Sequence, residues 1–129
     1  MGQRALVIFV NNKTNNEQIK TRWNISPVVY LHWDGDNVIK WIPDLEELMS
    51  DRKGDVEYAC ARFIGIAHEK IDGNLSLGVW NSDPEMKQWT EKQWAEYSHG
   101  DSGIFWVDVN DFTVFNLSYD TADKWVHVN

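Results

Sequence analysis

Two histidine–carboxylate pairs stand at two-residue spacing in this chain: His32 with Asp34, and His99 with Asp101. On an extended strand, residues i and i+2 project from one face, so each pair could close on a cation as a pincer. Imidazole plus carboxylate suits zinc, manganese or iron. A metal held that way would support a hydrolase or a nucleotide-processing enzyme. Nothing in the spacing joins the two pairs, and the second falls on a predicted loop. The competing reading makes His32 a packed or hydrogen-bonded histidine and Asp34 the cap of the next turn.

Two further motifs fail on inspection. Asp34-Gly35-Asp36-Asn37 alternates oxygen donors as a calcium loop does. An EF-hand needs glycine at its sixth position and glutamate at its twelfth, and here Ile39 and Leu45 stand there. Gly100-Asp101-Ser102-Gly103 copies part of the trypsin-like nucleophile motif. Ile104 replaces the next glycine, and 129 residues cannot form that protease's two barrels, so this is a chance match.

Tryptophan is the compositional outlier, with eight in 129 residues. Trp33, Trp41, Trp80, Trp89, Trp94 and Trp106 all flank predicted loops or strand ends. Indole faces stack on sugars, so a carbohydrate-binding module is one reading. Filling the core of a small domain is the plainer use. Trp89 and Trp94 are expected to be the exposed pair, because their helix also carries Lys87, Glu91, Lys92 and Glu96.

A formal charge of −8 argues against non-specific binding to nucleic acid or to an anionic membrane. Asp44, Glu46, Glu47, Asp51, Asp55 and Glu57 crowd one region. They read as a solvated helix face, or as an imitation of a nucleic-acid backbone that would engage a basic partner. The lone Cys60 can form neither an internal disulfide nor a thiolate zinc site, and between Ala59 and Ala61 it reads as a buried thiol. The apolar run Ala5–Val10 is too brief for a signal core or a membrane span, which points to the cytosol.

The elements that must position these residues follow from periodicity. Ala5–Val10 is a strand covered on both faces. Ile19–Trp23 reads as a short edge strand, and Pro27–Trp33 as the central strand, ending in the turn Asp34–Asn37. Val38, Ile39, Trp41, Ile42, Leu45, Leu48 and Met49 recur at helical spacing, with Asn37 as N-cap and Pro43 either kinking one helix or beginning a second. Asp55 caps a second pattern through Ala67, preferred as helix although Arg62–Ala67 could be strand. Asp72-Gly73 is a turn and Asn74–Trp80 a strand. Ser82-Asp83-Pro84-Glu85 reads as a capping box opening a short helix through Tyr97. Ile104–Val109 and Phe112–Leu117 form a hairpin turning at Asn110-Asp111, and Lys124–Val128 is a last strand. The fold class is α+β: one domain over 1–129, with a mainly antiparallel sheet of five to six strands and two to three helices inserted mid-chain.

Tyr30-Leu31-His32-Trp33-Asp34-Gly35 resembles the Tyr-x-His-Trp-Asp-Gly stretch of small phage and prophage proteins. Those often continue Tyr-Pro, where this chain has Asp36-Asn37. The resemblance implies a mobile-element accessory protein acting in the host cytosol, and it carries no catalytic residues with it. The leading expectation is therefore a non-enzymatic binding protein, without cofactor, that occupies a host protein or sequesters a small ligand, for instance as a counter-defence inhibitor. Its contact residues would be His32, Trp33, Asp34 and Asp36, with Trp89 and Trp94 as a second surface. A homodimer is compatible with this reading. The alternatives are the metal enzyme built on His32, Asp34, His99 and Asp101, and the carbohydrate module.

Overall fold

The computed structural model describes residues 4–11, 25–70, 77–98 and 101–129. The expected strand at Ile19–Trp23, the Asp72-Gly73 turn and His99 lie outside them. Six strands are named in chain order: β1 (Ala5–Val10), β2 (Val28–Leu31), β3 (Leu77–Trp80), β4 (Gly103–Asp108), β5 (Val114–Leu117) and β6 (Val126–His127). Three α-helices join them: α1 (Val38–Leu48), α2 (Val56–Lys70) and α3 (Glu91–Tyr97). The strands form one sheet in the order β3-β2-β1-β4-β5-β6. Every pairing is antiparallel except β1 with β4, which is parallel. The α+β class and the mainly antiparallel sheet hold.

The middle of the sheet is β1 beside β4, not the Pro27–Trp33 segment, whose strand lies one place further out. The physical reason is burial. All six residues of β1 are buried, as a strand covered on both faces requires. Ala5, Val7 and Phe9 join the core under α1 and α2, while Leu6, Ile8 and Val10 join the core under α3. The same alternation runs through the neighbours. Val29, Leu31, Phe105 and Val107 face α1 and α2, whereas Val28, Tyr30, Ile104 and Trp106 face α3. The result is a sandwich with the sheet in the middle.

The α1–α2 side is a close-packed aliphatic and aromatic core. Phe63 of α2 meets Phe9 of β1 at 5.4 Å between ring centres and Trp41 of α1 at 6.0 Å. Pro43 sits inside α1 at its sixth residue, so one helix accommodates it. Arg62–Ala67 is helical, because Phe63, Ile66 and Ala67 reach the sheet from one face of α2. Asp55 precedes α2 and accepts a bond from the Tyr58 amide at 3.0 Å. Of the crowded carboxylates, Asp44, Glu46, Glu47, Asp51 and Glu57 are exposed, as on a solvated helix face.

Cys60 is buried in this core. Burial pushes its thiol up from an ordinary value near 9 to about 11. A raised thiol pKa favours the fold while the thiol is neutral; that contribution is present below about 9 and is lost as pH climbs towards 11. Native protein at pH 8 is therefore expected to resist iodoacetamide at Cys60, and urea-unfolded protein to alkylate at the rate of a free thiol. Equal rates in the two states would contradict the buried placement.

Candidate functional site

The end of β2 and the start of β4 lie at the same end of the strands, on either side of β1, because Ala5 of β1 pairs with both Leu31 and Gly103. The strand stops at Leu31 and the chain bends through His32 and Trp33. Along a straight strand those two rings would project to opposite faces. The bend instead brings them into an edge-on contact at 4.8 Å. Trp33 is 41% exposed, His32 and Asp34 are half-buried, and Asp36 is exposed. The rim is accessible, as expected, but its polar groups are engaged. The Tyr30 hydroxyl lies 2.8 Å from His32 Nδ1. Asp34 adopts a left-handed backbone, φ 62°, and its carboxylate accepts from the Asn37 side chain at 2.9 Å. Asn37 precedes α1 as anticipated, but its side chain bonds Asp34 rather than capping the helix.

Asp101 lies at the same end of the strands. Arg4 donates to it from Nε at 2.8 Å and from its backbone amide at 3.1 Å. That hydrogen-bonded guanidinium holds the Asp101 carboxyl below the usual carboxylate range, with the nearby His32 adding a smaller effect in the same direction. His32 and Asp101 thus share one end of the strands, with Arg4 as the aspartate's partner. Among the described residues no group of three or more His, Cys, Asp or Glu is placed to hold a metal. Ser102 donates its backbone amide to the Arg4 carbonyl, a structural bond at the entry to β4.

The larger concentration of functional side chains lies on the α3 face. The expected helix from Met86 to Tyr97 is two pieces: a 3-10 helix over Pro84–Gln88, capped by Asp83, and then α3. Trp89 and Thr90 between them are extended, with ψ of 143° and 164°. Thr90 restarts the helix: its hydroxyl accepts from the Gln93 amide at 3.2 Å, and its own amide donates to the Gln93 side chain at 2.8 Å. Thr90-x-x-Gln93 is a capping box readable in the sequence, and it explains the break.

That break decides where the indoles go. Trp94 is not exposed as expected; it is buried at 2% and is the hub of an aromatic layer. Its ring centre lies 4.8 Å from Trp89, 5.5 Å from Trp106, 5.9 Å from Trp125 and 6.0 Å from Tyr97. The reason is that α3 lies over the sheet, so its most buried position packs down onto Trp106 of β4. Trp89, in the extended link, stays half-buried. Trp89, Trp94, Trp106, Phe115 and Trp125 together line an open-sided cavity of about 260 Å³. Trp89 also walls an adjoining recess with Gln93, Glu96 and Tyr97.

Each wall has an identifiable origin. Trp106 and Phe115 are direct cross-strand partners in the β4–β5 ladder. Trp125 enters from the segment before β6, where its backbone amide donates to Glu91 Oε2 at 2.7 Å. No protein-family model, curated protein or solved structure matches this chain. The site therefore rests on its own geometry.

The two candidate places are joined by one line of aromatic contacts. His32 bonds Tyr30, Tyr30 stacks on Trp80 at 5.9 Å, and the Trp80 Nε1–H donates to the Tyr97 hydroxyl. Tyr97 then meets both Trp89 and Trp94. Sequence reasoning missed Phe115 and Trp125 as members of the site. The predicted two-residue turn at Asn110-Asp111 already sets Trp106 opposite Phe115, and following that register would have found the first. Trp125 carried no local signal.

Proposed function

We propose that this chain is a non-enzymatic binding protein that holds a small ligand in the tryptophan-walled cavity over β4 and β5. The accessory role implied by the Tyr30–Gly35 resemblance fits a protein that sequesters a host metabolite or headgroup. The observation that carries this reading is the convergence of Trp89, Trp94, Trp106, Phe115 and Trp125 on a space of about 260 Å³. Ligand pockets for drug-sized molecules run roughly 300–1,000 Å³, so this one suits a single ring or a compact headgroup. Aromatic faces offer large contact area with little side-chain entropy to lose, which favours a binding wall over a loose apolar surface.

A second reading keeps the rim as a protein-docking surface. It is favoured by Trp33, which is 41% exposed beside half-buried His32.

Tryptophan fluorescence separates the two. Saturable quenching by members of a panel containing N-acetylglucosamine, glucose, indole and tetramethylammonium is expected, and Trp106→Ala is expected to weaken it at least about tenfold, or 1.4 kcal/mol. Trp33→Ala is expected to leave it unchanged. Flat titrations across the panel, or loss through Trp33→Ala with Trp106→Ala unaffected, would sink the cavity reading.

A further inference from the structure

The walls of the cavity say which ligand shape and charge they complement. Where wall rings touch, their planes cross steeply: 59° for Trp89–Trp94, 79° for Trp94–Trp106, 73° for Trp94–Trp125 and 59° for Trp106–Trp125. A flat base or sugar ring is held best between near-parallel faces or against one broad platform. Rings set at steep angles instead present faces and edges from several directions around a rounded group. Among the described residues the wall is wholly aromatic, with no hydroxyl, amide or carboxylate side chain to read a sugar's hydroxyl pattern.

Two carboxylates lie beside this box. Glu91 is half-buried and anchored to the wall through the Trp125 amide at 2.7 Å. Glu96 lines the recess on the other side of Trp89. The chain as a whole carries −8. An indole face bears the negative lobe of its quadrupole, and attraction for a cation rises when the cation is desolvated.

We infer that the cavity is an aromatic cage for a methylated ammonium group, with Trp89, Trp106 and Trp125 as its faces over buried Trp94 and Glu91 as the neighbouring carboxylate that complements its charge. This rests on the cavity being a binding site, and it names the ligand class. A trimethylammonium head is compact, rounded and weakly hydrated. It can leave water at small cost and fill a space of this size, which a strongly hydrated primary ammonium does less readily. A neutral group of the same shape would gain the apolar contact without the cation–π and carboxylate attraction.

The test compares choline with 3,3-dimethylbutan-1-ol, its neutral isostere, by tryptophan fluorescence and calorimetry on the full chain. Choline is expected to bind at least about tenfold more tightly. Glu91→Gln, whose amide oxygen still accepts from Trp125, is expected to weaken choline about threefold and to leave the isostere unchanged. Trp106→Phe, which keeps an aromatic wall and the fold, is expected to weaken choline several-fold, with an unshifted thermal melt as the folding control. Equal affinity for choline and the isostere would overturn the ammonium assignment while leaving the cavity a binding site. Binding of N-acetylglucosamine or indole but not choline would do the same. No binding of any of these would overturn both.

Discussion

Trp94→Ala is expected to lower the free energy of unfolding by about 3–5 kcal/mol, the range for emptying a buried large aromatic site. Small domains hold only about 5–15 kcal/mol in total, so this is a large share. Trp94 is 2% exposed and contacts Trp89, Tyr97, Trp106 and Trp125. Each such aromatic pair adds roughly 0.5–1.5 kcal/mol beyond simple burial. The loss would also remove the most deeply buried anchor of α3, a helix of seven residues that is too short to persist without packing. Urea denaturation followed by far-UV circular dichroism measures the change. Trp94→Phe, which refills part of the volume, should recover about half of it. A cost below about 1 kcal/mol for the alanine variant would mean that the aromatic layer is not packed as described.

Gly103→Ala is the second large effect, at about 2–4 kcal/mol. Gly103 opens β4 with φ +76°, a region where a side chain adds strain of about 1 kcal/mol or more. The added methyl would stand 2.2 Å from the Leu117 carbonyl oxygen and 2.6 Å from Ser118 Cβ. The first of these is β5 backbone, held in register by the Ile104–Leu117 pair, so it cannot swing aside. Separating β4 from β5 adds an overpacking cost of roughly 1–3 kcal/mol and would shift Trp106 against Phe115. The internal control is Gly65→Ala. It lies in α2 with nothing within 4 Å of the new carbon, and should stabilise by about 0.5–1 kcal/mol. Chemical denaturation of both variants gives the comparison. A neutral Gly103→Ala would contradict the close β4–β5 approach.

Much of the fold was legible because its signals are local. Ala5–Val10 reads as a doubly covered strand from its unbroken apolar run, and every residue in it is buried. The helix over Val56–Lys70 was readable from one apolar face, despite β-favouring residues near its end. Boundaries moved where side-chain bonding competed with pattern. Phe112 was expected in a strand, but it is buried at φ 59° in the turn, where its amide donates to the Asp108 carbonyl at 2.7 Å. The second strand accordingly starts at Val114. The aromatic helix from Met86 to Tyr97 divided because Thr90 and Gln93 cap each other.

The candidate site was legible only in part. Trp89 and Trp94 were marked as a contact surface for their polar helix neighbours, and they do wall the cavity, one of them from a buried position. Reading Trp94 as exposed failed because a seven-residue helix must spend its one apolar side on the sheet.

By itself the sequence determined most of the described strands and helices, the two-faced burial of β1 and the abundance of indole, since periodicity and composition are properties of neighbouring residues. Only the tertiary structure decided which indoles share a space. Trp89, Trp106 and Trp125 come from a link, a central strand and the chain's last segment. Their meeting depends on the strand order that sets β4 beside β1 and on α3 lying across β4 and β5, and long-range pairing of that kind leaves no trace in local spacing.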